Sequence, residues 1–69
     1  MSWSKSQRAF GVFKVEGKSI KIYGTPSSYS TLNVGEEINR ADWNGDNLQV
    51  SLKNGKVRIY KPNGSYTSL

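Results

Sequence analysis

The chain has 69 residues with ten Lys and Arg against five Asp and Glu, a net charge of +5, and neither Cys nor His. This length allows one small domain, which buries only about 60% of the surface that its unfolded chain exposes. The missing Cys excludes a disulfide framework and a thiolate metal site, and it favours an intracellular, cytoplasmic setting. The missing His removes the commonest general base.

Hydrophobic residues are too dispersed for a membrane segment. Nowhere do about 18 consecutive apolar residues occur, so we expect no spanning helix and no membrane partner. The start of the chain lacks an apolar run long enough for a signal sequence. The basic balance raises the expectation of a polyanionic partner, nucleic acid first, although a net charge of this size also keeps a small domain soluble.

The first residues are predicted to differ from the rest. Residues 1–8 are polar apart from Trp3 and read as a loose arm, with Trp3 either packed back onto the sheet or exposed as a contact. Residues 9–69 are predicted to form a single β domain. Its first strand, Arg8 to Val15, is apolar at nearly every position, as in a strand covered on both sides or one with an interaction surface on its outer side.

Alternating apolar and polar residues predict most of the remaining strands. The remaining strands cover 19–24, 29–34, 36–43, 48–53, 56–61 and a final stretch from 65. In residues 36–43, Ile38 and Ala41 have helical spacing, and a strand is assigned there by analogy with the neighbouring segments. Asn54-Gly55 predicts a type I′ hairpin turn, which needs a positive φ at both residues. Together these features indicate an all-β antiparallel meander of six to seven short strands, shaped as a small barrel or sandwich.

The two halves of the domain resemble each other. A shift of 37 positions aligns residues 9–32 with 46–69 without a gap and with five identities, among them the Ile-Tyr pairs at 22–23 and 59–60. We therefore interpret the chain as two repeats of about 37 residues joined by the strand 36–43. The alternation places eleven residues in the core, namely Phe13, Val15, Ile20, Ile22, Leu32, Ile38, Leu48, Val50, Leu52, Val57 and Ile59.

The segment from Ala41 to Tyr60 resembles the middle of a WD-type β-propeller blade. It has a Trp before a turn, an alternating strand, an Asn-Gly turn and a V-x-I-aromatic strand. The Gly-His and Trp-Asp pairs of that family are absent, and two short repeats do not supply four to eight blades. The resemblance implies only the order strand, turn, strand.

No group of residues predicts catalysis. Without His or Cys, the usual nucleophile and base pairs are excluded. Glu36 and Glu37 are neighbours on a predicted strand and point to opposite faces, while Asp42 and Asp46 suit turns. We therefore expect no enzyme, no cofactor and no metal site.

A basic and aromatic strip predicts one kind of binding. If the Ile and Val residues of the two similar strands face inward, Lys21, Tyr23, Arg58 and Tyr60 face outward. Tyrosine rings can stack on unpaired bases while lysine or arginine contacts phosphate. This strip, extended by Lys14, Lys56 and Lys61, predicts single-stranded nucleic-acid binding, unless these residues are simply a solvated face.

Exposed apolar residues predict the other kind of binding. Phe10 and Val12 are predicted to face away from Phe13 and Val15, and Trp3 would add to the same interface. The last predicted strand leaves an open edge, which can pair with another chain. We favour this second reading, a non-enzymatic module that assembles with itself or a protein partner, for instance in a virus particle. Nucleic-acid binding is the alternative.

Overall fold

One short helix and seven strands in two antiparallel sheets make up the computed structural model, which describes residues 3–69. Helix α1 covers Lys5–Phe10, and the first sheet contains β1 (Val12–Glu16), β2 (Ser19–Thr25) and β3 (Ser28–Asn33). The second sheet contains β4 (Ile38–Asn44), β5 (Asn47–Leu52), β6 (Val57–Tyr60) and β7 (Tyr66–Ser68). Within each sheet, every strand pairs with its neighbours in sequence, so the predicted all-β antiparallel class is confirmed. No helix in residues 3–69 is long and apolar enough to cross a membrane.

The inner faces of the two sheets share one hydrophobic core. Its buried residues are Trp3, Ile20, Ile22, Leu32, Val34, Ile38, Leu48, Val50, Leu52 and Tyr60, with Phe13, Val15, Ala41 and Trp43 packed against them. Nine of the eleven predicted core residues are therefore in the core or against it. Val57 and Ile59 are not, because they alternate with Tyr60 along β6 and lie on the outer face of the second sheet.

Helix α1 replaces the predicted arm and the start of the predicted first strand. Ser4 and Gln7 form a capping box, in which the Ser4 Oγ accepts from the Gln7 backbone and the Gln7 side chain accepts from the Ser4 backbone. These bonds satisfy two backbone donors of the first turn. Gly11, with a φ of 73°, ends the helix. The strand predicted from Arg8 therefore begins only at Val12.

The helix is fixed to the first sheet by one side chain. The Gln7 Nε2 donates to the Ile22 carbonyl and to the Ser30 Oγ, both at 2.9 Å. A Cβ at Gly24 would lie 3.0 Å from the Gln7 Cγ, so glycine permits this close approach. The helix thus covers the inner face of β2 near its end.

The residues around the helix also contact the second sheet. The Trp3 indole donates to the Asp46 carbonyl at 3.3 Å, and the Trp3 backbone N–H donates to Pro62 at 3.2 Å. The Arg8 Nε donates to the Gly45 carbonyl at 2.6 Å. Trp3 is only 3% exposed, so of its two predicted roles the structure shows packing.

Two hairpin loops of different length determine the strand register. Between β1 and β2, Glu16 pairs with Ser19 across the two-residue loop Gly17-Lys18, and Gly17 has a φ of 63°. Between β5 and β6, the Leu52 N–H donates to the Lys56 carbonyl across a three-residue loop that ends in Gly55, whose φ is 91°. No residue other than glycine has a positive φ within residues 3–69, so the predicted type I′ turn is wrong.

The extra loop residue reverses the faces of β6. Phe13 pairs with Ile22, but Val50, which aligns with Phe13, pairs with Arg58 rather than with Ile59. A register shift of one residue turns every side chain of a strand to the other face. Because of this difference the two halves are not equivalent, and the two-repeat interpretation is not confirmed.

Candidate functional site

Three side chains cross the outer face of the first sheet in one line. Val12 pairs with Tyr23, and Tyr23 pairs with Tyr29, so all three lie side by side on the face turned away from the core. Val12 is 49% exposed and Tyr29 47%, while Tyr23 is half-buried. The two rings lie 5.2 Å apart with planes tilted by 49°. We call Val12, Tyr23 and Tyr29 the tyrosine row.

A second line of residues runs beside the tyrosine row. Lys14 pairs with Lys21, and Lys21 pairs with Thr31. The Lys21 ammonium lies 4.8 Å from the centre of the Tyr29 ring, which is a cation–π distance. We call Lys14 and Lys21 the lysine pair. The outer face therefore places two cations next to two accessible aromatic rings.

One carboxylate neutralises part of this charge. The Glu16 Oε1 lies 3.2 Å from the Lys21 Nζ, and its Oε2 lies 3.7 Å from the Lys14 Nζ. The hydrogen bond with Lys21 lowers the pKa of Glu16, and the same bond raises the pKa of Lys21. Glu16 and Lys21 are therefore both ionised at neutral pH, and one carboxylate faces two lysines.

Arg58 and Tyr60 do not join this surface. The outward orientation predicted for them is wrong, because the register of β6 turns both toward the inner face of the second sheet. Tyr60 is 2% exposed, and the Arg58 side chain 14%. The Arg58 Nη1 donates to the Val34 carbonyl and the Tyr60 hydroxyl, both at 3.0 Å. Its Nη2 lies 3.6 Å from Glu36, so the guanidinium is held by internal contacts.

The other predicted residues are distributed over the molecule. Lys56 and Lys61 are exposed immediately before and after β6, so both lie beside the second sheet and away from the first. Phe10 is exposed at the end of α1, two residues before Val12. Of the predicted binding residues, the structure thus brings Lys14, Lys21, Tyr23 and Val12 onto one face.

The sequence prediction of the site omitted Tyr29 and Glu16. Tyr29 could have been found by treating the segment around Pro26 as a hairpin loop, which places Tyr29 opposite Tyr23. Glu16 lies two residues after Lys14 on the same strand, and side chains at that spacing share a face. The signal for Glu16 lies within one strand, and the signal for Tyr29 needs only a correct turn position.

A separate polar cleft of about 380 Å³ lies between the loops of the two sheets. It is lined by Lys18, Gly35, Glu36, Glu37, Lys53 and Asn54. Its two carboxylates pair with Arg58 and Lys53, at 3.6 and 3.8 Å. Within residues 3–69, no group of three acidic side chains is placed to hold a metal ion.

The outer face of the first sheet is the candidate binding surface. Comparison of the chain with protein-family models, curated proteins and solved structures gives no significant match. The assignment therefore depends on the chemistry of the tyrosine row, the lysine pair and Glu16.

Proposed function

We propose that the chain is a non-enzymatic interaction module, which binds a second copy of itself or a protein partner through the outer face of the first sheet. The observation that carries this proposal is the tyrosine row, where Val12 and Tyr29 are about half exposed on an open sheet face. Tyrosine is enriched in protein interfaces, and adjoining exposed apolar groups are typical of contact surfaces. Phe10 extends the exposed apolar surface along the chain.

Open strand edges, one of them on the first sheet, also support assembly. Within residues 3–69, β3 pairs only with β2, and β7 pairs only with β6. The free hydrogen-bonding groups of an edge strand can accept a further strand. Because β3 carries Tyr29, a strand added there would extend the outer face. The expected setting is the cytoplasm or a virus particle.

Single-stranded nucleic acid is the second candidate ligand. The specific observation in its favour is that the lysine pair adjoins Tyr23 and Tyr29 on one open face. Bases stack on aromatic rings while neighbouring cations contact phosphate. With Arg58 and Tyr60 held inside, this function would depend on two lysines and two tyrosines.

Tyr29 and Tyr66 offer a matched pair of variants for a test. Both are about half exposed, both pack on a neighbouring tyrosine, and both lie under a cation. Sedimentation velocity over a range of protein concentrations should show self-association that Tyr29→Ser weakens and Tyr66→Ser preserves. Equal association of the two variants would contradict the proposed surface.

The two ligand classes are separated by charge reversal. Lys14→Glu should abolish the quenching of intrinsic fluorescence by mixed-sequence single-stranded RNA and DNA, if nucleic acid is the ligand. Lys14 is well exposed, so the fold should be retained. Assembly that persists in Lys14→Glu, without any quenching in the wild-type protein, would support the interaction module and remove the nucleic-acid candidate.

A further inference from the structure

We propose that Glu16 determines the ligand selectivity of the outer face by occupying the position between Lys14 and Lys21 where an anionic group of a ligand would bind. A ligand that offers only charge must displace this carboxylate in order to bind, whereas a ligand that stacks on the tyrosine row can bind without displacing it. The inference rests on the second candidate function, single-stranded nucleic-acid binding.

The geometry supports a competing role for Glu16. It lies at the end of β1, on the same face as Lys14, and its two oxygens contact different lysines. One carboxylate thus serves both cations that a phosphate would contact. Within residues 3–69, neither lysine forms an ion pair with any other acidic residue.

The position of Lys21 connects this competition with stacking. The ammonium lies between the Glu16 carboxylate and the Tyr29 ring, at 3.2 Å from the oxygen and 4.8 Å from the ring centre. A group that reaches Lys21 is therefore adjacent to Tyr29. The ligand that gains most has an anionic group and an exposed planar ring next to each other.

This requirement distinguishes nucleic acids by strandedness. A single strand offers phosphates together with unstacked bases, whereas a duplex keeps the faces of its bases inside the stack. Duplex DNA and heparin can therefore offer only charge to the outer face, so their binding requires displacement of the carboxylate, whereas a single strand can also bind by stacking on the tyrosine row. Glu16 should reduce their binding more than the binding of a single strand.

The test compares Glu16→Gln with Glu37→Gln. Both variants remove one negative charge, and Glu37 pairs only with Lys53 among the described residues, away from the tyrosine row. With duplex DNA at low salt, Glu16→Gln should bind about three- to tenfold more tightly than the wild type, with a salt slope steeper by about 0.9 per added phosphate contact. The affinity of Glu16→Gln for oligo(dT) should rise less. Glu37→Gln should change the affinities for both ligands slightly and equally.

Three outcomes would overturn the inference. These are an equal effect of the two variants, an equal gain for duplex and single strand, and a stronger heparin retention of Glu16→Gln that survives the addition of Lys21→Gln. If the wild type binds no oligo(dT), the nucleic-acid function fails. Heparin retention then still tests whether Glu16 competes with an anionic ligand, because heparin binding requires no stacking. Circular dichroism of each variant confirms the fold.

Discussion

The Lys21 ammonium and the Arg58 guanidinium each lie over a tyrosine ring, but Lys21 does so on the outer face of the first sheet and Arg58 on the inner face of the second. The distances to the rings of Tyr29 and Tyr66 are 4.8 and 4.5 Å. The same local arrangement therefore forms an accessible surface in one sheet and an internal contact in the other. The loop before β6 causes the difference, because its additional residue changes the register.

The reversed face of β6 predicts unequal effects at two tyrosines. Tyr60→Ala should reduce the free energy of unfolding by about 3–5 kcal/mol, because the ring is fully buried. Tyr23→Ala should cost roughly 1 kcal/mol, since a half-buried side chain loses less packing. Urea unfolding followed by circular dichroism measures both. If Tyr60→Ala does not fold, Tyr60→Phe should still cost about 1 kcal/mol through the lost hydrogen bond with Arg58. Similar costs for the two alanine variants would contradict the reversal.

Gly55 should not tolerate a β-branched residue. Its φ of 91° lies in the region that L-residues avoid, so Gly55→Val should destabilise the fold by about 1–2 kcal/mol. Gly55→Asn should be milder, because asparagine tolerates a positive φ better than other residues. Thermal denaturation of the two variants gives the comparison. A neutral valine would show that the loop can change its conformation.

Trp3 should be essential for stability although it lies near the start of the chain. Its indole is buried against Trp43, with ring centres 5.7 Å apart, and it donates to Asp46. Trp3→Ala should cost about 3 kcal/mol or more, as for other large buried aromatic residues. Phe10→Ser is the control, since an exposed side chain should change stability by only about 0.5 kcal/mol. A stable Trp3→Ala protein, measured by urea unfolding, would contradict the packing role.

Glu16 and Lys21 should make stability depend on pH at both ends of the range. The lowered pKa of Glu16 means that its contribution is present above the ordinary value of 4.5 and is lost as the pH falls through the lowered value. The raised pKa of Lys21 means that its contribution is present below 10.5 and is lost as the pH rises through the raised value.

Glu16→Gln should remove the acidic dependence and weaken the alkaline one, because Tyr23 and Tyr29 also raise the pKa of Lys21. The urea midpoint of the variant should therefore fall less than that of the wild type below pH 4.5 and above pH 10.5. Glu37→Gln should retain the wild-type behaviour at both ends. Parallel pH profiles of Glu16→Gln and the wild type would show that the carboxylate does not stabilise the fold.

The strands and most of the core could be predicted from the sequence because burial on one face leaves an alternating pattern. Leu48, Val50 and Leu52 show this in β5, where every second residue is buried. Helix α1 was missed although Ser4 and Gln7 have the spacing of a capping box. The apolar residues that follow favoured a strand, and a helix of six residues has too little periodicity to oppose that signal.

The orientation of the predicted binding residues on β6 could not be predicted, because it depends on strand register. Lys21 and Tyr23 followed from the alternation in β2 alone. The orientation of Arg58 depends on whether the loop before β6 contains two or three residues, and an Asn-Gly pair is compatible with both. The backbone conformation of Asn54 decides between the two loop lengths. No sequence pattern outside the loop indicates which conformation Asn54 adopts.

The contacts of Trp3 have a consequence for the order of folding. Each sheet is a meander of neighbouring strands, so its pairing involves short sequence separations and can form early. Trp3, by contrast, docks against Asp46 and Pro62, which lie more than 40 residues away. During synthesis on the ribosome, the indole therefore has no site to occupy until most of the chain has emerged. The segment around Trp3 is therefore synthesised before the rest of the domain, but it can pack only after the second sheet has formed.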